Sequence, residues 1–536
     1  MDAQGTFSGA IAHRVVSVPY AQTGQFKPAF LAFIERNPLL AGLLPPAPTL
    51  AQLEAQASTK AFSLPQRTTL VGALRTQYQA IGCLADAEPY LAKLALPDCF
   101  TVTTGHQLSI YLGPLYTVLK ALTVIKLAAA YEEAYPHRRC VPIFWLASED
   151  HDIDEIASLR INQKRYHWAT SQGGPAGALA PDGLAEILSP LWPELPTYLQ
   201  HYGSFPTLAQ AQQWLLHKLL GQLGLLVLDP QTPVLKASLA PIIARELEAP
   251  FTGPAVQLAT ARLQSAGFEP QIAVRPTNFF LVSEGLRERL VPMGDGTYAA
   301  GRLGTFSREE LLAILAANPE RFSPNVATRP LFQELILPNL AYVGGPAEMV
   351  YWLQLTDLFA EAGLTMPVLW PRAHMGVLKA AETETMETLG LSPADLLAPW
   401  QALKARLLML QGASTTATDN LQTAFKAYLA QFSAEILAQD PTLHTYTQAE
   451  AKRMWRQAEA GWARLRKAQE RRYQSPLDQA RTLKDTLCPS GGLQERRESF
   501  WTYWLADNNV LAQLLAAVDP TDHAFRIVTL GPGQAL

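Results

Sequence analysis

The chain has 536 residues, 48% of them hydrophobic and 17% charged, a balance that excludes a disordered polymer and allows two or three domains with a sizeable core. Its net charge of −4 gives no global attraction to nucleic acid or an anionic membrane, so an anionic substrate would have to be met by local arginines. No apolar run is long enough to cross a bilayer, "MDAQGTFSGAIAHRV" lacks the apolar heart of a secretory signal, and the four cysteines form no CxxC pair. A cytoplasmic protein with reduced thiols is expected, with no nucleic acid and no membrane as partner.

In chain order, the first hundred residues hold helical pieces broken by prolines ("NPLLAGLLPPAPTL") and read as a docked N-terminal segment. "CFTVTT" is then β-rich, "GPLYTVLKALTVIKLAAAYEEAY" helical and "VPIFWLAS" β-rich again. In the helical stretch Leu115, Val118, Leu119, Leu122, Ile125 and Lys126 make a largely apolar stripe. Such a βαβ unit calls for parallel strands and a right-handed crossover. A Gly/Pro/Ala-rich stretch follows, and about 165–220 reads as an inserted segment. "HKLLGQLGLLVLDP" restores helix then strand, "QIAVRPTNFFLVSEGLRERLVP" reads as a hairpin, and "LPNLAYVGGPAEMVYW" as strand, glycine pair and helix before a short strand at "MPVLWPR". The predicted fold is therefore α/β, a Rossmann-like parallel-sheet core with inserted connecting segments spanning 1–385.

Residues 386–485 are helix-forming throughout, with a loop at "QGASTTATDN" and a corner at "QDPTLHT". Met454, Ala458, Trp462, Leu465 and Tyr473 mark one seam, so an antiparallel helical coiled-coil domain suited to homodimer formation is expected. Its basic residues alternate with Glu450, Glu459 and Glu470, the pattern of a solvated face. Residues 486–536 end in a strand-like "FRIVTL" and are expected to return to the core.

Ligands of open α/β sheets bind beyond the carboxyl ends of the strands, and two polar knots lie there. "TTGHQ" offers Thr103, Gly105, His106 and Gln107, where backbone can approach an anion near a helix start. Its Thr-x-Gly-His pattern fits the ATP-phosphate motif of class I synthetases and nucleotidyltransferases, although Thr103 stands in place of the first histidine and no lysine-rich partner loop follows. A turn glycine beside a structural histidine is the plainer alternative. "SEDHDIDE" gathers Glu149, Asp150, His151, Asp152, Asp154 and Glu155, a crowding that splits carboxylate pKa values and so separates acid from base. Its plainer alternative is an acidic loop with Asp152 or Asp154 as helix cap. The absence of a nearby cysteine argues against a structural zinc, and the need for any metal stays open. Further donors are Arg275 and Asn278 in "VRPTN", Asn325 and Arg329 in "SPNVATRPLFQE", Arg372 in "WPRAH", and the glycine pair Gly344–Gly345 as an anion nest.

"TTGHQLSIYLGPLYTVLKALTVIKLA", "VPIFWLASEDHDIDEI", "SPNVATRPLFQELILPNLAYVGGPAEMVYW", "MPVLWPR" and "GGLQER" together resemble one family, the cysteine-adding enzymes (BshC) of bacillithiol biosynthesis, from about residue 100 to 496. The resemblance implies a Rossmann-like core, a coiled-coil domain through which dimers form, and a ligase joining L-cysteine to glucosaminyl-malate by an amide bond. It makes His106, Glu149, Asp150, His151 and Asp152 the catalytic candidates. Gln107, Arg275, Asn278, Asn325, Arg329 and Arg372 become substrate-binding candidates, and Thr103, Gly105, His106, Gly344 and Gly345 cofactor-binding candidates. ATP is the simplest activator of the cysteine carboxylate, and other routes stay open. So do a non-catalytic nucleotide- or metabolite-binding scaffold of thiol synthesis and a nucleotidyltransferase acting on another small molecule.

Overall fold

Strand β1 (Cys99–His106, CFTVTTGH) is buried along its whole length except at His106, as a strand covered on both faces must be. It lies in a computed structural model that describes residues 14–191, 194–283, 285–412 and 415–531. The N-terminal stretch read for a secretory signal lies, up to residue 13, outside the described residues. Helix α1 (Leu115–Ala134) leads from β1 to β2 (Arg139–Leu146). Thirteen of its residues are buried, including Lys120, so it is wrapped by core on more sides than the predicted stripe provides for. β1 and β2 pair in parallel from Cys99↔Arg139 to His106↔Leu146.

Helix α2 (Leu208–Leu220) then delivers the short β3 (Leu226–Leu228), which pairs in parallel with β2. The insertion predicted at about 165–220 is therefore shifted. A hairpin of Ser158–Ile161 and Lys164–His167 already opens it, and its last predicted residues form the crossover helix. Farther on, α3 (Arg329–Ile336) precedes β4 (Asn339–Gly344), and α4 (Pro346–Leu353) follows it before β5 (Val368–Pro371). The five parallel strands stand in the order β5-β4-β1-β2-β3, which is the doubly wound arrangement. "VRPTNFF…LRER" forms the hairpin expected of it, Phe279–Ser283 against Leu286–Arg289. The C-terminal strand Phe525–Leu530 pairs antiparallel with Arg14–Val18, apart from the five-stranded sheet.

The chain divides into two compact units, residues 377–494 with 22–25 forming the second. That boundary falls earlier than 386 and later than 485, because helix Ala380–Thr388 and helix Gln474–Leu487 pack on each other within this unit. Its long helices, Thr415–Gln439 and His444–Arg472, form a hairpin around Pro441–Leu443. Phe425 packs on Trp455 and Trp462 with ring centroids 6.4 and 5.8 Å apart. Met454, Ala458 and Trp462 are half-buried, whereas Leu465 of the predicted seam is exposed. The loop expected at 411–420 is shorter: residues 413–414 lie outside the described residues, and helix begins at Thr415.

Candidate active site

The chain leaves β1 toward β2 on one side and β4 toward β5 on the other, and the crevice outside such a switch point is where doubly wound sheets bind ligands. A cavity of about 580 Å³ opens there. Both opening motifs reach it, through Gly105, His106 and Gln107 from β1 and through Glu149, Asp150 and Glu155 after β2. Gly345, Pro346 and Glu348 close it from β4. Its wall carries seven basic side chains (Lys120 and six arginines) against four acidic ones, so the local field opposes the sign of the whole chain.

The floor is an ion pair between a buried lysine and a half-buried glutamate. Lys120, 3% exposed, reaches Glu348 Oε2 at 2.6 Å and donates to the carbonyl of Gly105 at 2.7 Å. Tyr342 donates its hydroxyl to Glu348 Oε1, and the Gly345 N–H donates to Oε2 at 2.8 Å. Burial pushes the Glu348 carboxyl up, but the Lys120 ammonium and these donors outweigh it and hold it at about 2. Gly105 is needed because a Cβ there would stand 3.0 Å from the Trp145 carbonyl. His106 is half-buried, its ring 5.0 Å from that of Tyr116. Desolvation first, then the charge of Lys120, lowers its pKa to about 3, so the imidazole is neutral near pH 7. Its Nε2 is sealed from solvent and has no partner.

The acidic corner ties the two motifs together. Gln107 Nε2 donates to Asp150 Oδ2 at 2.6 Å and to Glu155 Oε2 at 2.8 Å. Glu149 is buried and ion-paired to Lys236, whose ammonium also donates to the Phe322 carbonyl. Its charge is thereby answered inside the wall. His151 is exposed, and its Nδ1 accepts from Arg287 Nη1 at 3.2 Å. Asp152 accepts from the Glu155 N–H as the cap of a short helix, Ile153–Ile156. Neither His151 nor Asp152 is among the cavity's lining side chains.

Opposite stand the guanidinium groups. Arg329, first residue of α3, lies over the rings of Trp145 and Tyr342 at 5.5 and 5.2 Å and donates through Nη1 to Gln333. Its Nη2 is buried without a partner, as is Arg289 Nη1. Arg287 packs 3.8 Å from the Phe280 ring centroid and is anchored by Ser323 and the Pro324 carbonyl. Burial lowers its pKa to about 10, which leaves it charged. Arg275 and Arg496 are exposed at the rim. Arg372, expected as a further substrate-binding donor, is gripped through both terminal nitrogens by Glu495 at 2.9 and 2.7 Å, and only its Nε is left buried and unpartnered.

Four expected binders serve the scaffold instead. Thr103 is fully buried and donates to Asn339 Oδ1, tying β1 to β4. The Asn278 amide donates to Thr252 and accepts from Asn325. Asn325 lines the cavity, but its oxygen caps the turn at Ala327 and Thr328 ahead of α3. Gly344 is buried where a Cβ would come within 2.6 Å of Met349 Cε, and the neighbouring Gly345 N–H is already satisfied by Glu348. Sequence reading passed over Lys120, Arg287, Arg289, Glu348, Glu495 and Arg496 as site residues, and placed Glu155 in the acidic cluster without making it a site candidate. The signal available for the last two was the "GGLQER" stretch, used there only as resemblance. Among the described residues no group of three or more His, Cys, Asp or Glu side chains could hold a metal ion, and no helix is long and apolar enough to cross a membrane.

A doubly wound sheet with a charged crevice at its switch point defines a Rossmann-like protein. Comparison with known families narrows this. Residues 14–373 match the family model "Bacillithiol biosynthesis BshC, N-terminal Rossmann-like domain", and residues 376–530 match "Bacillithiol biosynthesis BshC, C-terminal coiled-coil domain". The chain belongs to the BshC family of bacillithiol biosynthesis. It is 32% identical over 517 residues to a Cytophaga hutchinsonii protein, covering 95% of this chain and 98% of that one. A Flavobacterium johnsoniae relative is 31% identical (96% and 99% covered) and a Salinibacter ruber relative 29% (90% and 92%). All three are named "Putative cysteine ligase BshC".

Proposed function

We propose that the chain is a ligase that joins the carboxyl group of L-cysteine to the amine of glucosaminyl-malate, with ATP activating the carboxylate. The observation that carries the reading is the pairing, around one cavity, of buried unpartnered donors on Arg289, Arg329, Arg372 and His106 with the carboxylates of Asp150 and Glu155. Such a site suits substrates bearing both anionic groups and an amine. The names of the relatives support the choice of cysteine.

In the adenylate form of the reaction, a cysteine carboxylate oxygen bonds to the α-phosphorus of ATP and pyrophosphate leaves. The sugar amine, after losing a proton, then attacks the carbonyl carbon and AMP leaves. Asp150 and Glu155 hold the cysteine ammonium in place of the Gln107 amide, and Asp150 takes the amine's proton. The neutral His106 donates from Nε2 to a phosphoryl oxygen. Arg329, Arg289 and the rim residue Arg275 hold the malate carboxylates. Action in the cytoplasm and a homodimer through the helical hairpin complete the proposal. Leu421, Tyr428 and Tyr446, 58, 54 and 57% exposed, are the apolar surface that a second copy would cover.

The test is to incubate the purified protein with L-cysteine, glucosaminyl-malate and ATP and to follow bacillithiol, AMP and ADP by mass spectrometry. Bacillithiol with stoichiometric AMP is the expected result. Bacillithiol without nucleotide turnover would remove ATP from the scheme, and no product under any condition would overturn the ligase.

A further inference from the structure

Glu495 lies more than 120 residues from Arg372 in the chain, and the two are fully buried against each other. The carboxylate accepts four hydrogen bonds: Arg372 Nη1 and Nη2, His374 Nδ1 at 2.8 Å and the Met375 N–H at 2.9 Å. On the far side, the His374 ring is enclosed by Tyr20, Phe26 and Phe30 at 5.0 to 6.1 Å. Arg372 Nη1 also donates to the Ala373 carbonyl, and its guanidinium lies 5.2 Å over the Tyr116 ring. The group therefore cannot swing. A guanidinium held end-on through both terminal nitrogens keeps one free edge, and here the Nε on that edge is buried without a partner, on a side chain that lines the cavity.

We infer that Glu495 is a positioning residue of the binding site: it fixes the Arg372 guanidinium so that Nε–H alone points into the cavity as a directional donor to an anionic group of the bound substrate. The carboxylate neutralises most of the guanidinium charge, so Arg372 contributes direction rather than long-range attraction. Arg275, Arg329 and Arg496, which no carboxylate grips among the described residues, supply the attraction. An unpaired buried arginine would also draw in a substrate anion but would hold it in no fixed orientation. The inference rests on the malate-amine reading above for the identity of the substrate.

The test measures binding of glucosaminyl-malate by calorimetry, and KM and kcat in the coupled reaction, for Glu495→Gln, Arg372→Lys and the double variant. Gln keeps the size of Glu495 but loses the bidentate grip, and Lys keeps a cation beside Glu495 but has no Nε–H. Each single variant is expected to weaken binding and raise KM by about tenfold, as loss of one charge-assisted hydrogen bond does, with kcat changed far less. The double variant is expected to be no worse than either single one, because both remove the same donor. Unchanged KM in Glu495→Gln, or losses that multiply in the double variant, would overturn the inference. If Glu495→Gln does not fold, Arg372→Lys decides by itself: wild-type binding would overturn the inference, and tenfold weaker binding with intact circular dichroism would support it. A wild-type chain that binds no glucosaminyl-malate would overturn the reading of the site and this inference with it, an outcome distinct from wild-type binding that the variants leave untouched.

Discussion

The side-chain amide of Gln107 donates to the Asp150 carboxylate at 2.6 Å, and this bond fastens the exit of β1 to the exit of β2. The same nitrogen serves Glu155, so one neutral amide holds two carboxylates together where a substrate ammonium would be held more strongly. Gln107→Leu is expected to lower kcat/KM for cysteine by about tenfold or more, with an unchanged circular dichroism spectrum. Asp150→Asn should cost at least as much. A wild-type value for either would remove this corner from the site.

Asp152→Asn should leave turnover near wild type. Asp152 is exposed and spends its oxygen capping a four-residue helix, a role asparagine fills equally well. A loss of activity comparable to that of Asp150→Asn, measured in the same assay, would place Asp152 in the chemistry instead.

The pH dependence of stability should carry the mark of His106. Its folded pKa is about 3 against an ordinary 6.5. Between those values the unfolded chain binds a proton that the folded chain refuses, so stability rises with pH across that interval. The contribution is fully present above about pH 6.5 and is lost as pH falls toward 3. His374, lowered to about 4 by burial and then by the Arg372 charge, acts in the same direction. His106→Asn is expected to flatten the fall in melting temperature between pH 6.5 and 4, and an unaltered slope would contradict it.

Lys120 and Glu348 should prove strongly coupled. Glu348→Gln leaves an ammonium buried without its counter-charge, and such a change typically costs about 3–5 kcal/mol. Lys120→Met with Glu348→Gln removes both charges and should be less destabilised, in denaturant unfolding, than the two single changes added together. Simple additivity would show that the pair does not act as a unit.

Arg329→Met should raise KM for glucosaminyl-malate by about tenfold or more, and Arg329→Lys should recover little of it. The flat guanidinium rests over Trp145 and Tyr342 while pairing with Gln333, a geometry an ammonium does not reproduce. Equal KM values for the lysine variant and the wild type would indicate that charge alone suffices.

The parallel core and the helical unit could be read from the sequence because each rests on local pattern. Continuous β-rich runs ending in Gly, His or carboxylates mark covered strands with polar exits, and the stretch after residue 386 has helical composition throughout. Side-chain destinations were harder. Thr103 looked like part of a phosphate motif, but along a strand alternate residues face opposite sides, and its hydroxyl turns to Asn339. Lys120 sits in a largely apolar helix, and nothing local announces that its ammonium returns to the end of β1. Arg287 and Arg289 reach the cavity only through the register of a hairpin. Arg496 reaches it, and Glu495 reaches Arg372 behind its wall, only because the chain comes back after the whole helical unit, with the Leu115 N–H donating to the Glu498 carbonyl where α1 begins.

The order β5-β4-β1-β2-β3 also sets a timetable for synthesis. When β1, α1 and β2 have left the ribosome, the strand that flanks β1 on its other side has yet to be made, and so has the carboxylate that grips Arg372. A nascent chain can pair β1 with β2 and join Gln107 to Asp150, yet it has only half a binding crevice and a buried lysine without a counter-charge. Long-range pairing of this kind is slow and leaves apolar strand edges bare in the interval. Premature termination anywhere before residue 495 thus yields a product with an unfinished pocket, and termination before β4 also leaves β1 with a bare edge.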